Sequence, residues 1–257
     1  MDKALTQNWI LLRGLARESA HWGAFVPLLQ SAFPHAQITL LDLPGTGGFY
    51  RDTSPYTIKA IADKVRGHAY DNGLIEQPVT LLALSLGAMV AWAWMQRFPE
   101  DICCATLMNT SFADLSPFYQ RLRWQSYTNF VALAMTRELR SRESGILQLV
   151  SNSRDHNEQT IHAWEKIQKI RPMSLNNSIC QIIAAASFRP GDLKPQQPVL
   201  LLNGQGDRLV APACSEAIHK KWNLELRRHP WAGHDLTMDD GAWVVLQLKD
   251  WVGRQVA

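Results

Sequence analysis

Cysteine and one-sided charge are both scarce in this chain of 257 residues. The four cysteines are Cys103, Cys104, Cys180 and Cys214, and their spacing fits neither a disulfide framework nor a zinc site. We therefore expect reduced, mostly buried thiols in a cytoplasmic protein. The formal net charge is only +3, and the basic residues do not cluster, so the sequence does not indicate a nucleic-acid partner.

Long apolar runs and cofactor motifs are missing as well. The longest apolar stretches, such as 88–95, are far shorter than the roughly 20 residues that span a bilayer, so we expect no membrane partner. The polar start, Met1 to Asn8, lacks the pattern of a secretory signal peptide. No HExxH pattern or carboxylate cluster predicts a metal. The segment 45–48 lacks the spacing of a dinucleotide fingerprint, and we expect no cofactor.

What the chain does have is an alternation of apolar runs and segments with helical spacing. The runs predict strands at 9–12, 38–41, 79–84, 102–108, 198–202 and 224–227. Helices are predicted at 22–33, 57–72, 88–98 and 242–252. Continuously apolar strands that alternate with helices indicate a parallel sheet covered on both faces. The predicted class is therefore α/β, with a mostly parallel sheet and helices on both faces.

One segment interrupts the alternation. From about Phe112 to Arg189 no run predicts a strand, and ten basic residues stand against six acidic ones. We predict that 112–189 is a helical cap inserted into a core formed by 1–111 and 190–257. The competing interpretation is that these are ordinary surface helices of a larger sheet domain.

The third predicted strand runs directly into a serine. In Leu82-Ala83-Leu84-Ser85-Leu86-Gly87, small residues lie two positions to either side of Ser85, and an apolar helix follows. This pattern is typical of a strained strand-to-helix turn that exposes a serine hydroxyl at the edge of a sheet. A serine that only caps a helix would not need small residues on both sides. We therefore predict that Ser85 is a nucleophile.

A nucleophilic serine needs a base, and the base needs an acid to orient it. Asp207 follows the fifth predicted strand, and His234 follows the sixth. The carboxyl ends of parallel strands meet at one edge of a sheet, so these side chains are predicted to converge on Ser85. The order Ser85, Asp207, His234 is also the order that this architecture requires.

Each partner of Ser85 has rivals in the sequence. Asp114 and Asp235 are alternatives to Asp207, but neither follows a strand so directly. We expect Asp235 to be solvated or to cap a helix. His229 is the alternative to His234, although it lies at a strand end and precedes Pro230.

The anion that forms during acyl transfer needs two backbone N–H donors. We assign them to Leu86, the residue after the serine, and to Leu15, in the loop after the first strand. Gly14 lacks a Cβ and would let a substrate approach the chain closely. Candidates for the pocket wall are Arg13, Gly14, Trp22, Phe112, Tyr119 and Arg208.

Over nearly its whole length, apart from the cap, the chain resembles the α/β-hydrolase superfamily. Segment 41–47 is similar to the loop after the family's second conserved strand, 203–210 to its acid loop, and Gly233-His234 to its histidine loop. Within that superfamily the chain resembles small bacterial capped esterases that act on pimeloyl-carrier-protein methyl ester, and the related lyase of menaquinone synthesis. It departs from the family at Ala83, where glycine is usual, and at Arg13, where histidine is usual.

The resemblance and the predicted triad imply a serine esterase of the carboxylesterase type that cleaves small acyl esters. A lyase with Ser85 as its base is the first alternative, and arginines could then bind a carboxylated substrate. The candidates for that role are Arg13, Arg121, Arg123 and Arg208. A small-molecule binding protein without turnover is the second alternative. The positive cap is a candidate docking surface for an acidic carrier protein.

Overall fold

The six apolar runs form one parallel sheet in the computed structural model, which describes residues 8–153 and 157–256. The strands are β1 (Asn8–Leu12), β2 (Gln37–Leu41), β3 (Val79–Leu84), β4 (Ile102–Met108), β5 (Val199–Gly204) and β6 (Glu225–His229). Their spatial order is β2-β1-β3-β4-β5-β6, and every neighbouring pair is parallel. The strand order reverses between β1 and β3, and ligands bind beyond the carboxyl ends of strands at such a point.

Ten helices occur in the described part of the chain. They are α1 (Phe25–Ala32), α2 (Ile58–Asp71), α3 (Leu86–Arg97), α4 (Phe118–Arg121), α5 (Tyr127–Met135), α6 (Leu139–Val150), α7 (Asn157–Ile170), α8 (Leu175–Ser187), α9 (Pro212–Trp222) and α10 (Leu236–Val256). One face of the sheet packs against α2, α3 and α9, and the other packs against α1 and α10. The predicted α/β class is confirmed, and it explains why every residue of β3 and β5 is buried.

Helices α4 to α8, which we call the inserted helices, all lie between β4 and β5. No strand interrupts them among the described residues, as the sequence predicted. Buried amides on α8 attach this group to the sheet loops. Asn177 accepts a hydrogen bond from the N–H of Ser54 at 2.9 Å. One turn later, Gln181 accepts from the N–H of Ala16 at 2.9 Å and donates to the carbonyl of Pro44 at 3.3 Å.

The predicted element bounds hold best in the centre of the sheet. The strands predicted at 79–84 and 102–108 match β3 and β4 residue for residue. The helix predicted from 22 begins only at Phe25, because Ser19–Trp22 forms a 3-10 turn that ends at Gly23 with φ 48°. The last helix begins at Leu236 rather than 242, and it is broken at Asp240. The Asp240 carboxylate there accepts from the N–H of Trp243, which restarts the helix.

The composition predicted reduced thiols and no helix that spans a membrane. All four cysteines are free, with Cys104 and Cys214 buried and Cys103 and Cys180 partly exposed. Within 8–153 and 157–256, no helix combines the length and the apolarity that crossing a membrane would take.

Helix α3 approaches β1 so closely that Gly87 has no room for a side chain. An ideal Cβ on Gly87 would lie 2.5 Å from the carbonyl oxygen of Arg13 and 2.6 Å from that of Leu12. Both obstacles are backbone atoms, so a substitution must displace the strand end or the helix.

We therefore expect Gly87→Ala to lower the free energy of unfolding by about 1–3 kcal/mol, the range typical of overpacking. Urea unfolding followed by circular dichroism measures the change. Gly67→Ala is the matched control, because a Cβ on Gly67 in α2 meets nothing within 4 Å. That control should be stabilised by about 0.5–1 kcal/mol. An unfolding free energy of Gly87→Ala at or above that of the unaltered protein would contradict the close approach.

Candidate active site

Ser85 stands between β3 and α3 in a strained backbone conformation. Its φ is 57° and its ψ is −116°, in a region that residues with a side chain rarely occupy. The Ser85 N–H donates to the carbonyl of Met108 at 2.8 Å, and the Thr110 hydroxyl donates to the Ser85 carbonyl at 2.9 Å. The Ser85 side chain forms no capping hydrogen bond with α3, so helix capping does not explain the residue. The hydroxyl is thus held at the carboxyl end of β3.

Asp207 and His234 meet beyond the ends of β5 and β6. His234 Nδ1 lies 2.7 Å from Asp207 Oδ2. The other carboxylate oxygen, Asp207 Oδ1, accepts from the N–H groups of Leu209 at 2.7 Å and Val210 at 2.9 Å. Asp207 is fully buried, and His234 is 7% exposed. Both oxygens of the acid therefore have fixed partners, and one edge of the imidazole is oriented by a buried carboxylate.

Asn109 ties the loops of the acid and the histidine together, and the sequence prediction missed it. Its side-chain amide donates to the carbonyls of Gly233 at 3.0 Å and His234 at 2.7 Å. Its side-chain oxygen accepts from the N–H of Gly204 at 2.9 Å. The residue directly follows β4 and has φ 47°. Asp207 was singled out as a polar residue in the loop after a buried strand, and Asn109, directly after β4, shares that position.

We expect Asn109→Ala to lower the free energy of unfolding by roughly 3 kcal/mol or more, because three buried backbone groups lose their partners. Asn223→Ala is the matched control, since Asn223 also has a positive φ, 49°, but is exposed at the end of α9. It should lose only about 1 kcal/mol, the cost of the left-handed backbone. Urea unfolding of both variants checks the difference. Equal losses would mean that the Asn109 amide contributes nothing beyond its backbone conformation.

One cavity of about 610 Å³ collects most of the predicted site. Ser85, Leu86, His234 and Leu15 all line it. Its remaining wall comes mainly from apolar side chains, many of them on the inserted helices, such as Phe130, Ile146, Trp164 and Ile182. The cavity therefore brings a strained serine and an oriented histidine to one apolar space.

The two predicted anion donors are free in the described part of the chain. Neither the N–H of Leu15 nor that of Leu86 has a hydrogen-bond acceptor there. Gly14 directly precedes Leu15, and an ideal Cβ on Gly14 would lie 3.1 Å from Ser85 Cβ. A side chain at position 14 would crowd the serine, so glycine keeps this corner of the cavity open.

Ser85 and His234 face one cavity without being joined. Across 8–153 and 157–256, no hydrogen bond links Ser85 Oγ to the His234 imidazole. Catalytic hydrogen bonds are often long in empty enzymes and tighten when substrate binds.

Only some of the residues predicted to form the pocket wall line the described cavity. Arg13 and Gly14 line the cavity, whereas Trp22, Phe112, Tyr119 and Arg208 do not belong to its wall in the described structure. Phe112 is fully buried in the core, where it packs against Trp92 and Trp222. Trp22 is buried, and the centre of its ring lies 4.8 Å from the guanidinium carbon of Arg13.

The two other candidates lie outside this space for different reasons. Tyr119 is 50% exposed on α4, a short helix whose outer side faces solvent. Arg208 donates to the carbonyl of Ser151 at 2.6 Å, so it serves the packing of α6 against the acid loop. The position of these residues along the chain does not determine the direction of their side chains.

Asp235 differs from its expected environment. The expectation that it is solvated is wrong: the residue is 2% exposed, and Asp235 Oδ2 lies 2.5 Å from Arg13 Nη2. Its other oxygen accepts from the Thr237 hydroxyl and from the N–H of Met238 at the start of α10, so the expectation of a cap is met. Burial alone would raise the pKa of Asp235, but Arg13 holds it below the ordinary value. The carboxylate is therefore ionised and forms an ion pair with Arg13.

The other rivals to the predicted triad lie away from the cavity. His229 is buried, and its Nε2 lies 3.1 Å from Asp240 Oδ2. Asp114 accepts from the N–H of Gly191 at 3.2 Å. Neither belongs to the described cavity wall. In the ranges the structure describes, no group of three or more histidine, cysteine, aspartate or glutamate side chains is placed to hold a metal ion.

Among the arginines considered for a carboxylated substrate, Arg121 and Arg123 are already engaged. Arg121 lines the cavity, but it donates to the Ser111 hydroxyl and to the carbonyls of Ala185 and Ala186. Arg123 donates to the carbonyl of Asp207 at 2.7 Å. These two side chains hold loops and helices in place.

The family model and the curated relatives that match the chain are both hydrolases. The sequence profile described as "alpha/beta hydrolase fold" matches residues 10–241. The chain is 24% identical to the pimeloyl-[acyl-carrier protein] methyl ester esterase of Xanthomonas oryzae pv. oryzae over 213 residues, which cover 81% of this chain and 79% of the relative. The same values hold for the esterase of that description from Xanthomonas axonopodis pv. citri.

Solved structures share the fold at lower identity. A thermophilic esterase from Thermogutta terrifontis superposes with a TM-score of 0.73 at 22% identity, covering 100% of this chain and 92% of that one. The enol-lactonase from Burkholderia xenovorans gives 0.74 at 19% identity, with 96% and 92% covered.

Proposed function

The chain belongs to the alpha/beta hydrolase fold family, and we propose that it is a serine hydrolase of the carboxylesterase type acting on small acyl esters. The observation that carries the proposal is the buried His234–Asp207 hydrogen bond of 2.7 Å at the wall of a cavity that also holds Ser85. An acid that orients a histidine, beside a strained serine, is the arrangement that makes a hydroxyl nucleophilic.

The proposed reaction follows from these positions. His234 takes the proton of Ser85 as the serine oxygen attacks the acyl carbonyl, and Asp207 orients the imidazole and stabilises its charged form. The N–H groups of Leu86 and Leu15 bind the oxyanion of the tetrahedral intermediate. The leaving alcohol receives its proton from His234. Water, activated by the same histidine, then releases the acid and restores the serine.

The walls of the cavity support an ester with an apolar part. Phe130, Ile146, Trp164 and Ile182 offer apolar surface in the cavity that also holds the serine. Esterases among the relatives support the same class, since the Xanthomonas proteins are described as methyl ester esterases.

We expect Ser85→Ala to lower kcat on a short p-nitrophenyl ester by at least about a thousand-fold, because the attacking oxygen is removed. The variant should keep its fold and fail to react with a fluorophosphonate probe. Ser31→Ala is the matched control, since Ser31 is exposed on α1 and its hydroxyl donates to the carbonyl of Pro27. If Ser85→Ala retained the turnover of that control, the proposal would be refuted.

Intact-mass measurement separates the esterase from its two alternatives. An esterase forms an adduct on Ser85 that appears and decays with turnover. A protein that binds without turnover would acylate once and stay acylated, and a lyase that uses Ser85 as a base would form no adduct with its substrate.

The carrier-protein partner is part of the proposal. The curated relatives are described as acting on an acyl-carrier-protein ester, and the inserted segment presents exposed basic side chains such as Arg137 and Lys166. An acidic carrier would be attracted to such a surface.

We expect kcat/KM for a carrier-bound ester to fall as ionic strength rises, because salt screens the attraction between exposed charges. The same acyl group on a small neutral alcohol should show no such fall. Stopped-flow or product assays over a salt series measure both. A parallel salt dependence of the two substrates would rule out docking through charge.

A further inference from the structure

Two buried arginines line the cavity. Their guanidinium groups are held in place, but some of their nitrogens have no hydrogen-bond acceptor in the described structure. Arg13 is 3% exposed and Arg17 is 8% exposed, and both belong to the cavity wall. Arg13 lies over the Trp22 ring at 4.8 Å, and Arg17 lies over the Trp164 ring at 4.4 Å. Stacking on an indole holds a planar guanidinium in one orientation.

Among the described residues, each of these arginines forms an ion pair with one carboxylate. Arg13 Nη2 lies 2.5 Å from Asp235 Oδ2, and Arg17 Nη1 lies 2.7 Å from Glu143 Oε2. Three further nitrogens are buried without a hydrogen-bond partner in the described structure: Arg13 Nε, Arg13 Nη1 and Arg17 Nη2. Buried donors of this kind are rare in folded proteins, and they mark places where an acceptor belongs.

His21, a further titratable group beside Arg17, does not supply that acceptor. His21 Nε2 lies 3.0 Å from Arg17 Nη1, a nitrogen that already has Glu143. Burial and the charges of Arg17 and Arg13 hold the pKa of His21 well below its ordinary range, so the ring is neutral. His21 therefore provides no acceptor for the nitrogens that lack a hydrogen-bond partner.

We propose that Arg13 and Arg17 form an anion subsite of the cavity, and that the substrate is an ester carrying a free carboxylate. This inference rests on the proposed esterase function. A carboxylate supplies two acceptor oxygens in the plane that a guanidinium requires, and the bond is strong in surroundings from which water is excluded. The rest of the wall is mainly apolar and suits the carbon chain that joins the two ends of such a molecule.

Arg13 and its partner Asp235 are chain neighbours of residues at the reacting centre. Arg13 immediately precedes Gly14, where an ideal Cβ would be 3.7 Å from Ser85 Oγ. Asp235, the partner of Arg13, immediately follows His234. A carboxylate bound here would fix the position of the ester relative to the serine, so the free charge should improve reactivity as well as binding.

Matched substrates test the proposal directly. We expect kcat/KM for monomethyl adipate to exceed that for its neutral carboxamide counterpart by roughly 10- to 100-fold, the range for a hydrogen bond to a charged group. An ester with the carboxylate on the alcohol side, acetylglycolate, against its amide tests the other orientation. A preference for either anion supports the subsite, and equal or lower rates with both anions would overturn it.

Arg→Lys variants test whether these two residues cause the preference. Lysine keeps the charge opposite Asp235 or Glu143 but lacks the additional planar donors. Arg13→Lys and Arg17→Lys should each reduce the ratio of the two kcat/KM values by about 10-fold. Arg97→Lys, at an exposed ion pair with Asp63 on α2, is the control and should leave the ratio unchanged. An unchanged ratio in both buried variants would also overturn the assignment.

Binding to Ser85→Ala separates this inference from the esterase proposal. Calorimetry should detect monomethyl adipate more tightly than its carboxamide even when no turnover is possible. Tighter binding of the anion with no turnover by the unaltered protein would support the subsite and refute the esterase. Turnover of neutral esters, with equal binding of anion and amide, would refute the subsite and leave the esterase standing.

Discussion

The hydrogen bond between Asp207 and His234 is the interaction on which the rest of the candidate site depends. It joins two loops that follow different strands, and both residues are buried where they meet. The parallel sheet makes this possible, because β5 and β6 are neighbours and release their loops at one edge. Asn109, from the loop after β4, holds the backbone of both loops. Three successive strands thus contribute one group each to a single arrangement.

The candidate catalytic residues were picked out from the sequence because each follows a predicted strand and has glycine near it. Ser85 in its strained turn, Asp207 and His234 have that signature, and the centre of the sheet was predicted to the residue at β3 and β4. Periodicity identifies which runs are buried on both faces, and in a parallel sheet that is enough to order the loops at one edge.

The surroundings of those residues were not predictable by the same reasoning. The direction of Phe112 into the core and of Tyr119 toward solvent depends on how the inserted helices pack. The pairing of Arg13 with Asp235 joins residues 222 positions apart, which no local pattern reveals. Asp235 looked like a solvated neighbour of the histidine because its partner comes from the far end of the chain.

The contact between Gly87 and the backbone of β1 has a consequence for how this protein can change. It sets the separation of the segments that carry Leu86 and Leu15 through main-chain atoms alone. Residues such as Phe130 and Ile182 line the same cavity from separate helices. Mutations there can reshape the cavity without disturbing the spacing of these two segments. New preferences could therefore evolve on the inserted helices while the reacting centre stays constant.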